Sequence, residues 1–290
     1  GTTAQQTAFV WNGININSQF LGQGDINNIA VFGYDNLEIK SGGGSVVYGS
    51  GAIGGSIHLN NILGFNNGFE GTLHSEAGSF GTFSHFLKSS YSNDKFSFKA
   101  SANYLISEND YKVPEERYTN FFGKFQNNTI NIGTAYKINS RHTVSWQSQL
   151  YDGKQNYPVR EENGNRSRYE TQTFRSLLAW DFKTKSFENS FKAAYTEDNF
   201  QYFGDVNAPY TSGGINKNYI LKNDFNYFFS PKWNVNVIGE FQQNQGEGLG
   251  TSGVGNVKRN VGSLSGLLRY FPSPKLRFEA GIKQDFVEDF

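Results

Sequence analysis

Residues 96–106 read FSFKASANYLI. Phe96, Phe98, Ala100, Ala102, Tyr104 and Ile106 fall on one side of an extended chain, and Ser97, Lys99, Ser101 and Asn103 on the other. A period of two is that of a pleated strand, whose successive side chains point to opposite faces. The pattern returns down the chain. Val144, Trp146 and Leu150 alternate with Ser145, Gln147 and Gln149. Trp233, Val235, Val237 and Phe241 stand against Asn234, Asn236, Glu240 and Gln242, and Leu276, Phe278, Ala280 and Ile282 against Arg277, Glu279 and Lys283. Eleven such segments are centred near residues 74, 87, 101, 130, 146, 175, 192, 223, 238, 265 and 280. One strand about every 20 residues suits strands of about ten residues that cross a bilayer.

The connections separate into two kinds. Very short ones are Ser92-Asn93-Asp94-Lys95, Ile138-Asn139-Ser140-Arg141, Lys183-Thr184-Lys185-Ser186, Ser230-Pro231-Lys232 and Pro272-Ser273-Pro274-Lys275. Long polar ones, near 108–120, 153–168, 200–216 and 245–258, fall between them. Outer-membrane barrels have short periplasmic turns and long outside loops, whereas a soluble β-sandwich has no reason to sort its loops by length. The first connection, Gly78-Ser79-Phe80-Gly81, is short and falls outside by parity.

Composition agrees. The 290 residues include 27 Phe and 16 Tyr, yet mean hydropathy is −0.56. That combination fits strands apolar on one side and polar on the other. The 26 basic and 26 acidic residues balance, so there is no basic footprint for nucleic acid. Cys is absent, which excludes disulfides, thiol nucleophiles and thiolate metal sites. No run of 18 apolar residues marks a transmembrane helix. Met is absent even at position 1 and no signal peptide is present, so a longer translated chain is expected.

Residues 1–61 differ from the rest. They are rich in Gly and Asn, with short strands expected at 7–11, 28–32, 37–40 and 56–59, a polar loop at 15–25 and a linker at 62–68. Their densest part, 34–61, reads YDNLEIKSGGGSVVYGSGAIGGSIHLNN and holds seven glycines. Glycine at this density suits crowded turns and excludes a long helix. Gly49-Ser50-Gly51-Ala52-Ile53-Gly54 matches G-x-G-x-x-G, but a strand pattern rather than a helix follows, and the next acid, Glu70, lies beyond the linker. A dinucleotide site needs both helix and acid.

This stretch resembles the end of the plug domain of TonB-dependent outer-membrane receptors. The resemblance rests on Glu38-Ile39, Ser45, Tyr48-Gly49, Ala52-Ile53-Gly54-Gly55, Ile57 and Leu59. Upstream, Phe9-Val10-Trp11-Asn12-Gly13-Ile14 is similar to the family's strand followed by Asp-Gly, with Asn12 for Asp. Two positions depart. Ser41-Gly42-Gly43 stands where the family often has Arg-Gly-Pro, and Asn36 lies near another usual Arg. The arginines that pair with barrel carboxylates in the family are therefore missing.

The resemblance implies a mainly β protein: a small α+β plug, its C-terminal part at 1–61, then the N-terminal half of an antiparallel transmembrane barrel at 62–290. Eleven strands are half of the 22 that plugged transporters have, and an odd number is not expected to close in a bacterial single-chain barrel. The terminal Phe290, a common export feature of such barrels, is discounted because the eleventh strand runs outward. The implied activity is energy-coupled import, with no catalysis and no cofactor. The implied partners are outer-membrane lipid, a TonB-type periplasmic energy-transducing protein, and a ferric siderophore, haem or cobalamin as ligand. The short first hairpin looks most like the vitamin B12 and siderophore branches. Ligand would meet the plug apex, here Asn17, Gln19, Phe20, Leu21 and Gln23, for which packing of plug on barrel is the alternative role.

The outside loops add Tyr111, Tyr118, Tyr157 and Arg160 as binding candidates, since Tyr and Arg favour binding hot spots. Arg117, Arg166, Arg168 and Tyr210 lie nearby, and Tyr169, Tyr202 and Phe203 suit an interfacial girdle. The histidines at 58, 74, 85 and 142 have no metal-ligand spacing, and no nucleophile elbow is present. Glu108, Asp110, Glu115-Glu116 and Glu161-Glu162 read as solvated charge or as partial calcium ligands. The competing reading is a passive porin or surface adhesin, against which the 48–59 motif speaks, since an open pore needs no plug.

Overall fold

A computed structural model describes residues 3–19, 22–24, 29–113, 118–159 and 164–289. Near the N-terminus, β1 (Thr7–Trp11), β2 (Ile14–Asn15), β3 (Asn36–Ser41) and β4 (Gly55–Asn60) form a small sheet in the order β2-β1-β4-β3. β1 and β4 run parallel, with Phe9 opposite Ile57 and Trp11 opposite Leu59. β1 turns into β2 through Asn12 and Gly13, whose φ angles are +48° and +89°. Two positive φ angles are what a tight two-residue hairpin demands and what Asn-Gly supplies. One helical turn, α1 (Ser45–Tyr48), ends where Gly49 takes φ +88°.

From residue 68 the chain builds one antiparallel sheet of eleven strands. They are β5 (Gly68–Gly78), β6 (Thr82–Ser92), β7 (Phe96–Ser107), β10 (Phe125–Lys137), β11 (His142–Asn156), β12 (Arg168–Lys183), β13 (Phe187–Phe203), β14 (Ser212–Ser230), β15 (Trp233–Gly250), β16 (Val257–Ser273) and β17 (Leu276–Asp289). Each pairs with its neighbours in chain order, and β5 and β17 are the edges. Between β7 and β10 lies a two-stranded hairpin of β8 (Tyr111–Lys112) and β9 (Thr119–Asn120).

The two faces of this sheet invert the rule for soluble proteins. Ser97, Ser101, Asn103, Gln149, Asn218, Lys222 and Asn236 are buried, while Leu73, Ile130, Leu178, Leu221 and Ile282 are exposed. A lipid-facing apolar belt around a polar lumen produces this inversion. The plug lies in the lumen. Phe9, Trp11, Ile14 and Leu59 form one buried cluster with Leu177, Ala194 and Ile220 of the wall. Those three wall residues are register partners across β12, β13 and β14. They make an apolar seat on an inner face that also buries many polar side chains.

Two expectations need correction. The strand expected at 28–32 is absent from its described part: Val31–Gly33 is a 3-10 turn, and Tyr34 N–H donates to Val31 O at 3.2 Å. Phe32 there packs on the rings of His74 and Phe86, at 4.9 and 5.7 Å. Its apolar character serves contact with the wall, not a strand face. The outside connections are also shorter than expected, because β11 to β16 continue into 153–168, 200–216 and 245–258. β14 has 19 residues, about 65 Å of extended chain at ~3.4 Å per residue. Beyond the bilayer both faces meet water, so the apolar alternation stops while the ladder of backbone bonds continues.

Candidate functional site

Three layers of side chains connect plug to wall. The lowest is ionic. The Asp35 carboxylate accepts Lys99 Nζ and the Ile62 N–H, each at 2.7 Å, and is also paired with Lys88. Burial alone pushes the Asp35 carboxyl up; the bonds from Lys88, Lys99 and Ile62 outweigh it and hold the group below its usual range. Sequence reasoning missed an ion pair here because the family's arginines are missing. The polarity is reversed, with the acid on the plug and the bases on the barrel.

Beside it, Lys192 Nζ donates to Asn12 O at 2.8 Å and Lys222 Nζ to Gly13 O at 3.2 Å. Lys192 and Lys222 are register partners on β13 and β14, so two adjacent strands grip one plug turn. Lys222 also pairs with Glu240 at 3.1 Å and lies 5.4 Å from the Tyr48 ring. Burial, with the nearby charges of Asp224 and Glu38, pushes the Tyr48 hydroxyl up to about 12. His58 packs 5.0 Å from the Tyr48 ring and bonds Ser56 Oγ at 2.8 Å; burial, then the charge of Lys40, pushes the imidazole down. It stays neutral inside the plug.

The rest of the glycine-rich motif holds the plug together. Gly54 N–H donates to Gln6 O, Ala52 is fully buried, Tyr48 O accepts Asn15 Nδ2, and Glu38 on β3 pairs with Lys40. Gly55 N-terminates the pairing of β4 with β3, and Ile53 is exposed.

The middle layer is a relay of neutral and charged polar groups. Gln149 Nε2 donates to Tyr34 Oη and to Asn131 Oδ1, both at 2.8 Å. Gln149 Oε1 accepts Arg175 Nη1 at 2.6 Å, and Arg175 lies 3.7 Å from Asp198. Burial pushes the Tyr34 hydroxyl up, against the opposing pull of Arg175 and Gln149. Tyr34 and Asp35 are thus held from two sides, by β11 and by β6 and β7.

The top layer is aromatic. Tyr169 lies 6.1 Å from Phe200, and Tyr157 lies 6.2 Å from Tyr202. Tyr169 shares its strand face with the buried Thr171 and Thr173, and Tyr202 opposes it in register. Both therefore line the lumen, not the lipid-facing girdle expected of them. Phe203 does face outward, under the Arg168 guanidinium at 4.5 Å.

The loop candidates gather on the same rim. Tyr111 packs on Phe80 at 6.3 Å, the Tyr118 hydroxyl donates to Val159 O, and Tyr157 N–H donates to Ser167 O at 3.0 Å. Val206 N–H donates to Arg166 O at 3.1 Å, which ties in the next loop. The plug candidates behave differently. Asn17 Oδ1 accepts the Phe9 N–H and its Nδ2 donates to Thr7 O, so its amide braces β1. Gln23 Oε1 accepts Gln5 Nε2 at 3.0 Å, and Gln19 is exposed. Phe20, Leu21, Arg160, Arg117, Glu115, Glu116, Glu161 and Glu162 lie outside the described residues. Among the described residues no three His, Asp or Glu side chains form a metal cluster; Glu108 pairs with Lys124 at 2.6 Å.

Residues 1–56 match the family model described as TonB-dependent Receptor Plug Domain. The plug-in-barrel arrangement matches the ferripyoverdine receptor of the Pseudomonas aeruginosa outer membrane with a TM-score of 0.70 and 14% identity, over 98% of this chain and 46% of that one. The N-terminal unit belongs to the TonB-dependent receptor plug domains. The copper transporter OprC is similar in fold, with a TM-score of 0.73 and 13% identity over 97% of this chain and 47% of OprC. In sequence, 62 residues are 36% identical to the vitamin B12 transporter BtuB of Vibrio vulnificus (strain YJ016), which is 21% of this chain and 10% of BtuB. The chain thus spans about half the length of the solved structures it matches.

Proposed function

We propose that this chain is the plug and first barrel half of an energy-coupled outer-membrane importer of a large, scarce solute such as a ferric siderophore, haem or cobalamin. The observation that carries the reading is the plug itself, seated on Leu177, Ala194 and Ile220 and bonded to the wall through Asp35, Asn12 and Gly13. A lumen filled this way is not an open pore, which speaks against the passive porin or adhesin. Solute binds at the tyrosine-lined mouth, with Tyr111, Tyr118 and Tyr157 on the loops and Gln19 and Gln23 on the plug; Arg160, Phe20 and Leu21, candidates by sequence, lie outside the described residues. A TonB-type periplasmic protein then pulls the plug to open a path. The boundary between the two units is set at 61/62. The ligands of these relatives, ferripyoverdine, copper and vitamin B12, show how widely cargo varies on one fold.

The test is uptake of labelled solute by cells producing the receptor, with and without a proton-motive-force uncoupler. Saturable uptake abolished by the uncoupler supports the proposal. Uptake that is linear in concentration and indifferent to the uncoupler overturns it.

A further inference from the structure

The five short turns share a feature that the transport reading does not use. Each carries an exposed cation: Lys95, Arg141, Lys185, Lys232 and Lys275. None of the five has an ion pair among the described residues; Lys183, beside Lys185, takes Glu188. The residues between these strands include one acid, Asp94, in a chain whose net charge is zero.

The backbone places the five in one line. Lys137 N–H donates to Lys95 O at 2.8 Å, Lys183 N–H to Arg141 O at 2.9 Å, Phe228 N–H to Ser186 O at 2.8 Å and Phe271 N–H to Lys232 O at 2.8 Å. Four of the five turns are thus stitched to the end of the strand that leads into the next turn, and the cations form a collar along one rim. The plug linker enters on the same rim, where Asn66 N–H donates to Asn93 O at 2.9 Å.

Rings sit immediately above the collar. Phe182 stacks on His142 at 4.3 Å and meets Phe187 edge-on at 5.2 Å. Trp233 stacks on Tyr270 at 4.2 Å and keeps 40% of its surface exposed. Aromatic rings on the lipid face settle at the headgroup level, and lysines beside them extend their amines toward phosphate.

We propose that this collar binds the phosphate groups of anionic phospholipids in the leaflet at the short-turn rim. It rests on the outer-membrane reading only in naming that leaflet as the periplasmic one. The occupant is lipid rather than the anionic peptidoglycan because the cations border the aromatic band and do not project on loops away from it. A unit charge near an anionic surface shifts lipid partition about fivefold.

The test uses the receptor in nanodiscs of equal phosphatidylethanolamine and phosphatidylglycerol, with retained lipid counted by native mass spectrometry. Wild type is expected to retain phosphatidylglycerol several-fold over phosphatidylethanolamine. A variant with Lys95→Gln, Arg141→Gln, Lys185→Gln, Lys232→Gln and Lys275→Gln is expected to lose that preference. Exchanging each Lys for Arg, and Arg141 for Lys, restores it, which separates charge from misfolding. Equal retention of both lipids by wild type, or undiminished preference in the glutamine variant, overturns the proposal. So does collar-dependent sedimentation with isolated sacculi when no lipid preference is found. Solute uptake by the same variants reads the transport proposal separately.

Discussion

The Asp35 carboxylate lies 2.7 Å from Lys99 Nζ, across the boundary between plug and barrel wall. Of their side-chain surface, 13% and 18% remain accessible, and the second base, Lys88, keeps 27%. Removing one member of a buried pair leaves the other charge without compensation, at about 3–5 kcal/mol when burial is complete. Asp35→Asn is expected to cost about 2 kcal/mol, because both lysines still reach water. Denaturant titration followed by proteolysis of the released plug measures it, and Lys99→Met should cost less, since Lys88 remains.

The same carboxylate gives a pH dependence. Its folded pKa is lowered, so its contribution is complete above the ordinary carboxylate value, about 3.9. The contribution is lost as pH falls through the lowered folded value. Plug retention should therefore be flat across neutral pH and weaken only in strong acid. Asp35→Asn should remove that acid limb while leaving the neutral plateau lower.

The Asn12-Gly13 turn predicts a backbone effect. Gly13 has φ +89°, and a Cβ there would meet Lys192 Nζ. Gly13→Ala combines left-handed strain of about 1–2 kcal/mol with displacement of the amine. Thermal unfolding should register it, whereas Gly239→Ala, where nothing lies within 4 Å of the added carbon, should be nearly neutral.

Leu177 and Leu178 are neighbours in sequence and opposite in surroundings: 3% exposed under the plug and 51% exposed toward lipid. Leu177→Ala should cost about 2–4 kcal/mol through the cavity left beneath Trp11. Leu178→Arg should cost about 2–4 kcal/mol in bilayers and much less in a detergent that solvates the cation. Unfolding the two variants in both environments checks the sidedness of the whole sheet.

How far the fold was legible follows from such pairs. The alternation that put Phe96 and Phe98 opposite Ser97 and Ser101 is the alternation the lipid imposes, and all eleven barrel strands lie where that period placed them. β14 was underestimated because a strand with water on both faces carries no apolar signal. Val31 and Phe32 looked like strand because side chains that pack on a wall and those that pack in a sheet have the same chemistry. In the site, Lys99 already stood on the polar face of 96–106. Its partner, 64 positions away, depends on how the plug is tilted in the lumen, which no local spacing encodes. Tyr169 and Tyr202 suit a girdle by residue type, and parity within β12 and β13 puts them inside.

The central claim is that this plugged lumen captures a specific solute. The direct measurement is binding by the purified receptor in detergent against cobalamin, haem and a set of ferric siderophores. The account predicts tight binding to one of them, weakened about tenfold or more by Tyr157→Ala or Tyr202→Ala, as truncation of a hot-spot aromatic does. No binding to any of them, with steady ion conductance across planar bilayers, would contradict it.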